Sequence, residues 1–413
     1  MTTDVAHLPN ASLRGRNAPA SPIRKLMPYA NAARARGIHI HHLNIGQPDF
    51  ATPAPILDAI ARFDRRTLAY APSQGLPEAV AAWATYFQQA CGVDVPEDQI
   101  IVTAGGSEAI AFAMMAVADP GEEILVFDPS YTNYIGVAAC AGVTLRGLLL
   151  EAGDDYALPS PGQIRAALTP RTRAILLCNP NNPTGAVYGE QDLRLLLDVV
   201  EEAGIMLIVD EVYRELVFDG LPRTSVLAIP GAMRHAILVD SISKRFNACG
   251  ARIGCITSAH AGVMTAALRF AQARLSAPTV EQLALVPMLS DPETYTASLA
   301  AQYERRRDIV LGALGEMPEI THSRPHGAFY IIVGLPVEDA EDFARWMLED
   351  FSAGGETVMV APLKGFYVTP GLGANEARLA YVLGDEDLDR AVRLLGDGLD
   401  RYRTLRRDEG AIP

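Results

Sequence analysis

A chain of 413 residues exceeds the size at which a single hydrophobic core stops growing, about 250–300 residues, so two domains are expected. Hydrophobic residues make up 49% and charged residues 20%, an ordinary globular balance that excludes a disordered chain. Lysine plus arginine number 35 against 49 acidic residues, and the formal charge of −14 repels nucleic acid and anionic membrane while leaving room for a local basic pocket.

Residues 1–10 contain Asp4 and Pro9 and lack the apolar core of a secretion signal. The stretch 1–45 is rich in alanine, arginine and proline, with a helix expected over 21–36, and reads as an arm or part of a lid. His39, His41 and His42 lie side by side, but adjacent histidines do not by themselves converge on one ion, so a structural or solvent-facing role is expected and no metal. From Thr52 onward, short apolar runs recur at 100–103, 123–127, 173–178, 205–210 and 236–240, with helical lengths such as 107–118 and 189–203 between them. Strands that are apolar throughout and alternate with helices predict a mostly parallel sheet covered on both faces. Ligands in such sheets gather outside the carboxyl ends of the strands. After about residue 290 the pattern changes. A basic helix around Tyr303, a strand over 327–333, an amphipathic helix over 340–351, strands over 357–361 and 377–383 and a last helix predict a smaller α/β domain. No run reaches the length of a transmembrane helix. Cys91, Cys140, Cys178, Cys249 and Cys255 form no CxxC pair and read as buried free thiols of a reducing, cytoplasmic compartment.

The polar motifs sit where the strands end. Gly105-Gly106-Ser107 follows one strand and opens a helix, where backbone donors and the positive dipole end favour an anion; viewed alone, the glycine pair is equally a turn or cap. Asp210 closes the apolar run 205–209, where a carboxylate is costly unless paired; a helix cap is the structural alternative. A lysine is ordinarily a surface charge, but Lys244 lies among Ser241, Ser243 and Arg252, whose hydroxyls and guanidinium suit a dianionic phosphate. A lysine amine can condense with an aldehyde and later act as a base. Asn179 and Asn181 read as turn residues.

The order of Asn179-Pro180-Asn181-Asn182-Pro183-Thr184-Gly185, Asp210-Glu211-Val212-Tyr213, Ser241-Ile242-Ser243-Lys244 and Arg252-Ile253-Gly254 closely resembles the class I/II aminotransferases of pyridoxal-phosphate (PLP) fold type I. The likeness runs from Asn44 to Arg378 and is nearest to the bacterial aspartate aminotransferase group. It implies an α/β fold: a large domain over 46–290 with a mostly parallel seven-stranded sheet flanked by helices, and a small domain over 291–413 joined by the arm 1–45. It implies pyridoxal 5′-phosphate bound through Lys244, with Gly105, Gly106, Ser107, Ser241, Ser243 and Arg252 holding the phosphate. Asp210 would pair with the pyridine nitrogen, Tyr213 and Asn182 would bond the phenolic oxygen, and Tyr131 would stack on the ring, leaving Tyr134 to packing. Arg378 would clamp the substrate α-carboxylate with Asn182 and the backbone of Gly46, beneath Ile45. Tyr70 resembles a tyrosine given to the neighbouring subunit's phosphate, which implies a homodimer.

The resemblance predicts ping-pong transfer of an amino group from an L-amino acid to a 2-oxo acid, with aspartate or glutamate and 2-oxoglutarate or oxaloacetate as partners. A neutral or aromatic amino acid aminotransferase and a PLP-dependent lyase keep the same cofactor residues and stand as alternatives. A PLP-binding transcription regulator is disfavoured, for no basic helix-turn-helix precedes the fold. Two departures bear on substrate: Lys364 in Ala361-Pro362-Leu363-Lys364-Gly365-Phe366, read as solvated or as a lure for a distal carboxylate, and His326 where that group often has an acidic residue.

Overall fold

The computed structural model describes residues 11–290 and 292–408; the reading of residues 1–10, and the ends of the expected small domain at 291 and 409–413, lie outside the described residues. Seven strands form the large sheet: β1 (Ile100–Thr103), β2 (Glu123–Asp128), β3 (Thr144–Leu149), β4 (Thr172–Cys178), β5 (Met206–Asp210), β6 (Ala236–Ser241) and β7 (Gly254–Thr257), in the spatial order β1-β7-β6-β5-β4-β2-β3. All neighbours run parallel except β7, which is antiparallel to both β1 and β6.

Period-two burial explains why the strands read as continuous apolar runs. Along β5, Leu207 and Val209 enter one core and Ile208 enters the other, and along β6 Leu238 and Val239 divide the same way. Helices Gly106–Val117 and Ala261–Arg274 cover one face; Pro77–Cys91, Glu190–Ala203 and Thr279–Leu289 cover the other. β3 and β7 are not among the five runs that hydrophobicity picks out. β3 is a half-exposed edge strand, and β7 is only four residues long and contains a glycine.

The smaller α/β part has a four-stranded antiparallel sheet in the order Ala361–Pro362, Glu376–Ala380, Tyr330–Gly334, Thr321–His322. Its helices include Glu293–Gly315, Ala340–Glu349 and Asp385–Asp408. The histidine run is a strand, His39–His42, paired in parallel with Glu356–Met359, and His41 Nε2 lies 3.3 Å from Glu356 Oε1. The arm helix spans Met27–Ala35, shorter than expected, and starts with Pro28 in its first turn, a position where proline's missing N–H costs nothing. All five cysteines are free. Cys178 and Cys255 are buried, while Cys140 is exposed, so the expectation of buried thiols fails there: it sits near the end of the surface helix Thr132–Ala141. No helix among the described residues is long and apolar enough to cross a membrane.

Candidate active site

β4, β5 and β6 end side by side at Cys178, Asp210 and Ser241, and a cavity of about 170 Å³ opens at those ends. Gly106, Ser107, Tyr131, Asp210 and Tyr213 line it. Ser241, Ser243, Lys244 and Arg252 complete the wall on the β6 side. The chain has three lysines, and only Lys244 reaches the cavity; Lys25 and Lys364 are exposed and pair with Glu341 and Asp339.

Lys244 is carried by the short helix Ile242–Arg245 directly after β6. Its Nζ donates to the carbonyl of Gly46 at 2.8 Å and lies 3.8 Å from Cys249 Sγ. Loss of water around the amine lowers its pKa; Cys249 opposes this, and the Arg378 and Arg252 guanidiniums add smaller lowering effects.

Asp210 is buried, and its partners are neutral donors: the Tyr134 hydroxyl at 2.7 Å from Oδ2 and the Val212 amide at 3.3 Å from Oδ1. No cation among the described residues pairs with it. Desolvation lifts its pKa to about 6, although both hydrogen bonds pull the other way. Tyr134, expected to serve packing, is therefore corrected to a direct partner of Asp210. The helix Thr132–Ala141 turns it towards the end of β5, a tertiary contact that nothing local in the sequence announces.

Arg252 donates to the carbonyls of Cys249 and Ala104 at 2.9 and 3.3 Å and to Ser243 Oγ at 3.5 Å, all neutral oxygens. Gly105, the N-cap of the helix Gly106–Val117, has φ +83°, and a Cβ there would lie 2.4 Å from Arg252 Nη2. Only glycine permits that approach. Ser241 Oγ donates to Ser243 Oγ at 2.9 Å, so the two hydroxyls share one corner.

Arg378, on the strand Glu376–Ala380, is 1% exposed. Its Nη1 donates to Asn182 Oδ1 at 3.0 Å, its Nη2 donates to the Asn44 carbonyl at 2.9 Å, and its Nε has no partner. The rings of Tyr330 and Phe366 lie 4.3 and 4.9 Å from its guanidinium carbon, and no described carboxylate neutralises it. Asn182 is thus brought to Arg378, and Gly46 to Lys244, with half-exposed Ile45 beside it. Tyr330 was not singled out by sequence. Its hydroxyl bonds that of Tyr213 at 2.8 Å, and a Cβ on Gly46 would lie 1.9 Å from it. Asn179 and Asn181 bond their own loop, through Tyr188 and Thr184.

Three residues stay apart. Tyr70 is 79% exposed and outside this chain's cavity. His326 pairs with Asp219 at 2.7 Å. Lys364 lies 3.9 Å from Asp339 in a separate surface cleft.

The site thus holds two buried charges without a described counter-ion, the guanidinium of Arg378 and the carboxylate of Asp210, and with them an exposed Arg252 bonded only to neutral oxygens. A buried charge without a counter-ion is expensive. A ligand system with two anionic groups and a protonated ring nitrogen, reactive toward an amine, matches all three and Lys244.

The family profile of aminotransferases class I and II matches residues 38–395. The chain belongs to this family. It is an aminotransferase, and its fold is that of the PLP-dependent enzymes. It is 32% identical to a probable aspartate/prephenate aminotransferase of Thermus aquaticus, over 89% of this chain and 93% of that one. It is 31% identical to an aromatic-amino-acid aminotransferase of Thermococcus litoralis, over 90% of this chain and 94% of that one. The solved aspartate aminotransferase of Thermus thermophilus with maleate superposes with a TM-score of 0.85 at 28% identity, covering 95% of this aminotransferase and all of that chain. Relatives with differently named substrates thus stand at nearly equal distance from this aminotransferase.

Proposed function

We propose that the aminotransferase binds pyridoxal 5′-phosphate in the cavity at the ends of β4, β5 and β6 and moves amino groups between L-amino acids and 2-oxo acids. The observation that carries this reading is the pair of unmatched buried charges, Arg378 and Asp210, with one lysine, Lys244, lining the cavity with Asp210 and within the field of Arg378. Gly105, Gly106, Ser107, Ser241, Ser243 and Arg252 hold the phosphate, with Tyr70 added from a second subunit. Asp210 meets the ring nitrogen and Tyr131 the ring face. Tyr213, whose burial raises its pKa and keeps it a hydrogen-bond donor, meets the phenolic oxygen with Asn182. The bound cofactor supplies a carbonyl that condenses with amines and a ring that accepts the electron pair released at the α-carbon.

The protein's own part is positioning and proton transfer. Arg378 holds the substrate α-carboxylate in its fixed fork, helped by Asn182 and the Gly46 backbone, and so orients the α-carbon. Lys244 Nζ, whose proton affinity is lowered by burial and by the two guanidiniums, accepts the α-proton. Asp210 holds its proton-sharing position through Tyr134. Donor and acceptor use the same site in turn, so the kinetics are ping-pong.

For the substrate we infer an acidic pair, aspartate or glutamate with 2-oxoglutarate or oxaloacetate, supported by the names of several relatives and of the neighbouring solved structures. A neutral or aromatic donor is the second reading. It is favoured by the relative from Thermococcus litoralis and by the engagement of Lys364 with Asp339. Initial rates for a panel of amino donors against 2-oxoglutarate, pyruvate and oxaloacetate decide: efficient aspartate or glutamate supports the first, and failure of both beside efficient alanine or phenylalanine establishes the second. The same reading includes a homodimer, domains divided at 45/46 and 290/291, and a cytoplasmic location suited to five free thiols.

A further inference from the structure

Behind the cavity lies a second charged cluster that this chemistry does not use. Glu211, Arg214, Glu215, Asp240 and Arg245 are all buried, and Tyr86 reaches them from the helix Pro77–Cys91. Asp240 is central. It accepts from Arg214 Nη2 at 3.0 Å and, on both oxygens, from Arg245 Nη2 at 2.9 and 2.8 Å. Arg214 Nη1 also donates to Glu211 Oε2 at 2.8 Å, and the Val226 amide donates to Glu211 Oε1 at 2.8 Å. The Tyr86 hydroxyl donates to Glu215 and accepts from Arg214, and its ring lies 4.1 Å from the Arg245 guanidinium carbon. Arg223 donates to Glu215 from the rim at 3.2 Å, so three carboxylates meet three guanidiniums.

The place of these residues in the chain carries the inference. Glu211 follows Asp210, Arg214 follows Tyr213, Asp240 precedes Ser241 and Arg245 follows Lys244. In each pair one side chain lines the cavity and its neighbour enters the cluster. A buried ionic cluster is a poor source of net stability, because apolar side chains of the same volume do as well or better. It does fix geometry, since displacing any member leaves a buried charge without its partner.

Resting on the proposed function, we propose that this cluster is the positioning unit of the active site, locking Asp210, Tyr213, Ser241 and Lys244 in register through their chain neighbours. Tyr86, remote from the cavity, is its keystone, because one hydroxyl joins Glu215 to Arg214. The field of the cluster also reaches the pocket, where Asp240 and Glu211 both raise the proton affinity of Asp210.

The test uses the holoenzyme with Tyr86→Phe, which keeps the ring against Trp83 and Arg245, and with Arg245→Lys, which keeps the charge but loses the fixed guanidinium. Turnover with the best amino donor is measured beside its KM, the visible circular dichroism of bound cofactor and the thermal midpoint. Misplacement by a fraction of an ångström predicts a fall in kcat of about tenfold, KM within about twofold, and a weakened dichroic band in Tyr86→Phe, with a larger loss in Arg245→Lys. A folded Tyr86→Phe enzyme with parental kcat and dichroism overturns the proposal. Should Tyr86→Phe not fold, Arg245→Lys decides by the same two readouts. A parent enzyme that shows no donor-dependent spectral change contradicts the proposed function instead, so the two failures are distinct.

Discussion

Asp210 is a carboxylate that burial holds near half-protonation at about pH 6, and this has a measurable consequence for the cofactor-free chain. Its folded pKa lies above the ordinary value of 3.8, so the folded state binds the proton more tightly than the unfolded state does. Its contribution is therefore intact below about pH 4 and is lost as the pH rises through about 6, with a total on the order of 3 kcal/mol. Asp210→Asn carries no charge, and its carbonyl oxygen can accept from the Val212 amide while its NH2 donates to the Tyr134 hydroxyl. Urea unfolding of cofactor-free protein should show the variant gaining on the parent between pH 4.5 and 7; a constant difference across that range would mean that Asp210 is matched by the protein. In the holoenzyme the sign reverses for function, since asparagine cannot support a protonated ring nitrogen, and α-proton removal slows by about 10²-fold or more in rapid mixing. Several of these residues were legible because they fall in ordered motifs: Lys244 and Arg252 line the cavity, and Arg378 is buried against Asn182. Tyr134 and Tyr330 were not, since their meaning lies in contacts with Asp210 and Tyr213, 76 and 117 residues away in the chain.

β7 shows what pattern reading misses at the scale of elements. Gly254–Thr257 is short and opens on a glycine, which blurs its hydrophobic signature, yet it runs against its neighbours and closes the sheet onto β1. Its glycine has a specific reason. A Cβ on Gly254 would lie 2.6 Å from the Asp240 carbonyl, 2.8 Å from Gly105 C and 2.9 Å from Gly106 N, all backbone atoms that cannot swing aside. The strand, the glycine turn and the end of β6 are packed at that point without space for a methyl group. Gly254→Ala should cost about 1–3 kcal/mol in denaturant unfolding and also weaken cofactor binding, because the turn that gives way is the one bearing Ser107. Parental stability and affinity together would show the contact to be slack. The five runs read correctly are buried along most of their length, four of them interior strands and β1 the edge opposite β3. β3 escaped because an edge strand with three exposed residues out of six loses that signature.

Across the whole molecule, 49 acidic residues stand against 35 basic ones, and the proposed anion holders Arg252 and Arg378 sit within that acidic balance. Tyr70 is 79% exposed and does not line this chain's cavity, and the proposed homodimer would give it a role at the partner's site. Heterodimers of Tyr70→Phe and Lys244→Ala chains separate the possibilities. If Tyr70 serves the partner, one of the two sites has both its lysine and its tyrosine, and parental cofactor affinity returns at half the sites. If it serves its own chain, no site is restored. The ionic cluster behind the cavity was likewise invisible in the sequence, since its members look like ordinary surface charges until the fold encloses them. The central claim rests on one amine. Borohydride reduction of the purified holoenzyme, followed by peptide mapping, should leave a single pyridoxyl group on Lys244, the one lysine of three that lines the cavity. A label on Lys25 or Lys364, or on no lysine, would contradict the account.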